Sequence, residues 1–109
     1  MVAEELTPIQ QALRLLGLKQ TDTNVDQLHV MVEALAIFQE HTDRLGELWR
    51  EVEPEDTAHH IRHKAQRVFH AEVNGAERDR ESLEDFGRDS ALDLINYAAF
   101  YVRQKDGDA

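Results

Sequence analysis

The chain has 109 residues, a formal net charge of -10 and 31% charged residues. So acidic a balance excludes sequence-independent binding to nucleic acid, which requires a basic surface. The absence of cysteine excludes disulfides and thiolate zinc sites and points to a reducing cytoplasm, and no apolar run is long enough for a membrane span.

The opening Met1-Val2-Ala3-Glu4-Glu5 is acidic and has no apolar stretch, so no secretory signal is expected. One domain over residues 1–109 is expected from the length. Only five Gly and two Pro interrupt it, which favours long helices. An N-terminal helix is predicted within residues 1–20. Thr7 is its N-cap, Pro8 its first helical residue and Gly17 its C′ residue, with Ile9, Leu13 and Leu16 on one face. A polar linker follows. Asn24 with Gln27 has capping-box character, and a second helix is predicted from about Val25 to Arg44. Leu28, Met31, Val32, Leu35 and Phe38 form its apolar stripe. Leu45-Gly46 marks a break, and Glu47-Leu48-Trp49-Arg50 adds a turn.

Asp56 or Thr57 is the expected cap of a third helix over about Thr57 to Val73, stopped by Asn74-Gly75. Ala58, Ile61, Ala65, Val68 and Phe69 give it an apolar side. The last helix is predicted from Arg78 or Ser82 to Gln104, with a row of Leu83, Phe86, Ser90, Leu94, Tyr97 and Tyr101. Residues 105–109 form a tail. The core helices thus occupy residues 24–104. The expected class is all-α, a bundle of three to four helices joined by short loops.

Two segments can carry chemistry. In the last helix Asp85, Asp89 and Asp93 recur every four residues, so their charges repel unless cations intervene. Asp93 also sits between Leu92 and Leu94, where a carboxylate is costly unless paired, hydrogen-bonded or bound to metal. The alternative for Asp85 and Asp89 is a solvated helix face. For Asp93 with Asn96 it is a structural bond to another helix. In the third helix His60, His63, Lys64 and Arg67 lie along one side and suit phosphate, with Arg67 as a bidentate donor and Lys64 as a point charge. Their alternative role is to pair with acids of the last helix. His59 and His63 have the four-residue spacing of a helical zinc pair but no accompanying His-Glu-x-x-His pattern. Trp49 is either a core plug or a platform for a base. There is no phosphate-binding glycine loop and no nucleophile elbow.

The order of these residues resembles a known family. Leu45-Gly46-Glu47-Leu48-Trp49 follows Phe38. His60-x-x-His63-Lys64-Ala65-x-Arg67-Val68 comes next. Glu84-Asp85-x₃-Asp89-x₃-Asp93-Leu94-Ile95-Asn96-Tyr97-Ala98 closes the series. Over roughly residues 32–103 this is similar to the all-α MazG-like nucleotide pyrophosphohydrolases, in the branch of nucleotide modification associated domains. The terminal motif is the most specific part. The resemblance implies an oligomeric MazG-like bundle that hydrolyses a nucleoside triphosphate between its α and β phosphates with Mg²⁺.

By position, the resemblance makes Asp89 and Asp93 catalytic metal ligands, with Asp85 beside them and Glu33 and Glu40 as the acids of an earlier helix. Lys64, Arg67 and His60 would meet the phosphates. Asn96 would orient the site or meet the sugar, and Trp49 would meet the base. The sequence departs from the family where Glu-Glu-x-x-Glu is expected, because Ala34-Leu35-Ala36-Ile37 follows Glu33. The family's middle tyrosine and aspartate are Leu45 and Glu47 here. A non-catalytic nucleotide binder of the same fold fits these residues too. So does a helical module that grips a protein partner through its apolar first helix. In the nucleotide readings the site forms between subunits of a homo-oligomer.

Overall fold

The computed structural model describes residues 5–45, 51–73 and 80–107. Among them are four helices and no strand: α1 (Pro8–Leu15), α2 (Asp22–Leu45), α3 (Pro54–Val73) and α4 (Arg80–Lys105). The expected all-α class is met. The turn expected at Glu47–Arg50 and the stop at Asn74-Gly75 lie outside the described residues. Two compact units form, Met1–Glu33 and Ala34–Ala109, and they divide within α2.

The first unit is fastened by its own caps. The Thr7 side chain accepts from the Gln10 backbone N–H, and the Gln10 side chain accepts in return from the Thr7 backbone N–H, which closes a capping box. At the other end the Leu18 N–H donates to the Leu13 carbonyl at 2.8 Å and the Gly17 N–H to the Arg14 carbonyl at 3.1 Å. That pair of bonds is the Schellman arrangement, and it requires the left-handed φ of +74° that Gly17 adopts without a Cβ penalty. Leu13 is buried, whereas Leu15, Leu16 and Leu18 are exposed. The second helix starts one turn before the expected Asn24. Thr21 is the residue that caps it, through its Oγ1 and the Asn24 N–H. Asn24 instead turns its amide back to the Lys19 carbonyl. Asp22, at the positive end of the helix dipole, favours the earlier start.

The second unit is built on α3 and α4, which pack along each other. The third helix begins at Pro54, ahead of the expected cap, because proline's fixed φ suits a first helical position and its missing N–H costs nothing there. Thr57 is therefore not a cap. It is fully buried in the first turns, and its hydroxyl donates to the Glu53 carbonyl. In α4 the buried positions are Ser90, Leu92 and Phe100. The expected stripe of α2 is turned outward at Met31, Val32 and Leu35, and the buried residue of that helix is Ala34. The Asn96 amide of α4 donates to the Ala34 carbonyl at 2.8 Å, and a large side chain at 34 would obstruct that approach.

Candidate functional site

The side chains with chemical potential lie along the seam between α3 and α4. On α3 the steps 57, 60, 64, 67 and 71 bring Thr57, His60, Lys64, Arg67 and Ala71 to one side of a helix with 3.6 residues per turn. On α4 the steps 86, 90, 93, 97 and 100 do the same. His60 stacks on Tyr97, Lys64 meets Asp93, and Ala71 lies against Gly87. As the position rises along one helix it falls along the other, so the pair is antiparallel. At Gly87 the two helices are in close contact. A Cβ placed there would stand 3.1 Å from the Ala71 Cβ.

Three contacts make up the site. The Lys64 Nζ lies 2.9 Å from an Asp93 carboxylate oxygen, with the side chains 16% and 36% exposed. The pair is only partly shielded, so solvent screens part of the attraction. One turn away the His60 and Tyr97 rings stack with centroids 4.9 Å apart and planes 4° apart. Toward the other end the Arg67 guanidinium lies over the Phe86 ring, 4.6 Å from its centroid. That distance places the cation within cation–π range of the ring. The Asn96 amide, next to Tyr97 in sequence, holds the Ala34 backbone.

The residues singled out from sequence are therefore partly gathered. Lys64 and Asp93 are brought together, with His60 and Arg67 on the same seam. Asn96 is engaged with the backbone of α2. Asp89 is exposed on α4. Glu33 is half-buried and Glu40 exposed on α2, and His59 and His63 are exposed on α3. Trp49 and the Asp85 side chain fall outside the described residues. Among the described residues no group of three or more His, Asp or Glu side chains could hold a metal ion. Asp93 already has an ammonium on it, so these residues alone do not complete a magnesium site. Tyr97 was given no role from sequence beyond its apolar row. The signal that finds it is the match of two helical stripes, which needs the register between α3 and α4.

Comparison with known proteins gives no matching family model, no matching curated protein and no matching solved structure. Among the described residues no helix is long and apolar enough to cross a membrane.

Proposed function

We propose that this chain binds nucleotides through the α3–α4 seam, as a MazG-like protein that need not cleave what it holds. The observation that carries this reading is the contact between Lys64 and Asp93 at 2.9 Å, which joins the basic segment to the acidic one. An ammonium has three donors, and the carboxylate takes one of them. Lys64 can therefore hold a phosphate oxygen while keeping Asp93. Arg67, held over the Phe86 ring, has N–H donors for a second phosphate oxygen. In a chain of net charge -10, two cations held on one seam form a local attraction for polyphosphate.

Hydrolysis with Mg²⁺ is the second reading. It would draw on Asp93, one oxygen of which is on Lys64, and on the exposed Asp89 one turn away, with further ligands from a second subunit. Homo-oligomerisation is supported by the exposed apolar side chains Leu35, Phe69, Val73 and Val102 of the second unit.

Calorimetric titration with each canonical and deoxy nucleoside triphosphate tests the first reading. Binding is expected in the wild type and at least ten-fold weaker in Lys64→Ala. Pyrophosphate release that requires Mg²⁺ and is lost in Asp93→Asn would instead establish hydrolysis. A chain that takes up no nucleotide, with or without Mg²⁺, sinks both.

A further inference from the structure

We infer that the open face of the His60–Tyr97 stack receives the nucleobase of the bound nucleotide. The inference rests on the nucleotide-binding reading and extends it from phosphate to base. His60 is exposed, although one face of its imidazole lies flat on the Tyr97 phenol. Tyr97 covers one face of that ring, so a further ring would have to stack on the other. The planes are within 4° of parallel, so a third planar ring laid on His60 continues an existing stack. Tyr97 is the more buried of the two and holds the imidazole in a fixed plane, so little rotamer freedom remains to be lost when a base arrives.

The position fits a nucleotide. His60 and Lys64 are one helical turn apart on the same side of α3, a separation of about 6 Å along the axis. That is the order of distance a ribose spans between a base and its first phosphate. Base on His60 and phosphate on Lys64 thus place the two ends of one nucleoside phosphate on successive turns of a single helix. Stacking uses the π-face that every base has, so the site selects planar aromatic rings and discriminates weakly among them.

The test compares a nucleoside triphosphate with inorganic tripolyphosphate, which has the same phosphates and no base. The wild-type chain is expected to bind the nucleotide about ten-fold more tightly, in keeping with the usual worth of one base–aromatic stack. His60→Ala is expected to remove that margin, read as the ratio of nucleotide to tripolyphosphate affinity within each variant, and His60→Phe, which keeps a flat ring, to restore it. In NMR spectra the His60 ring protons should move upfield with the nucleotide and stay in place with tripolyphosphate. A margin that survives His60→Ala, or His60 protons indifferent to the nucleotide, overturns the stack and leaves phosphate binding intact. If neither ligand binds, the nucleotide reading falls and takes the stack with it.

Discussion

The two units of this chain are held by different kinds of bond. In the N-terminal unit the fastenings are local: Thr7 with Gln10, Thr21 with Asn24, Asn24 with Lys19, and the Gly17 turn. None of these four reaches further than five residues along the chain. In the C-terminal unit local bonds such as Thr57 to Glu53 are joined by distant ones. The Asn96 amide reaches the carbonyl of a residue 62 positions away, and the Gln104 amide donates to the Val52 carbonyl 52 positions away at 2.7 Å. Lys64–Asp93 and His60–Tyr97 add side-chain contacts between helices. Local bonds fix where a helix begins and ends. Distant bonds fix which faces meet, and candidate chemistry in this molecule sits where faces meet.

Three experiments would break or sharpen that contrast. The largest effect is expected where Gly87 of α4 meets Ala71 of α3. Gly87→Leu would force its side chain against Ala71 and lower stability by about 2–3 kcal/mol, the upper range for overpacking. Urea denaturation of the full chain measures it, and an unchanged midpoint would show that the helices separate without cost. Thr7→Ala should cost α1 about 1 kcal/mol, the usual value of an N-cap. Amide exchange should quicken in α1 and stay unchanged in α3 and α4; an equal increase in both units would erase the distinction between them. The smallest effect belongs to Lys64 and Asp93. A double-mutant cycle with alanine at both positions should give a coupling of about 0.5 kcal/mol that shrinks in high salt, as expected for a partly exposed pair. Coupling several times larger would mark the pair as a structural lock with no donor to spare for phosphate.

The same contrast explains what could be read from sequence. The ends of the first helix were readable, because Thr7, Pro8 and Gly17 mark them, whereas the Gln10 bond was not foreseen and Leu16, expected on the apolar face, is exposed. Caps elsewhere were misplaced: Thr21 caps α2 in place of the expected Asn24, and α3 begins at Pro54, ahead of the expected Asp56 or Thr57, whose hydroxyl is buried. Of His60, His63, Lys64 and Arg67, which periodicity set on one side of α3, His60, Lys64 and Arg67 meet α4 and His63 is exposed. Periodicity could not say how far that side was rotated toward α4, so the partner of Arg67 turned out to be the Phe86 ring, and Asp89 faces outward while Asp93 meets Lys64. The apolar stripe of α2 failed for the same reason. Helical spacing marks a greasy side but not the direction from which a neighbour comes, and the neighbour arrived over Ala34.

That arrival has a consequence for how the sequence can vary. The acceptor at position 34 is a main-chain oxygen, which every amino acid supplies, so the bond from Asn96 survives a change of side-chain chemistry there and is lost only through bulk. At position 96 the requirement is reversed: volume can shift slightly, as in Asn96→Gln, but an N–H donor must remain. Drift at the two ends of one bond is thus limited by different properties, size on α2 and hydrogen-bonding capacity on α4.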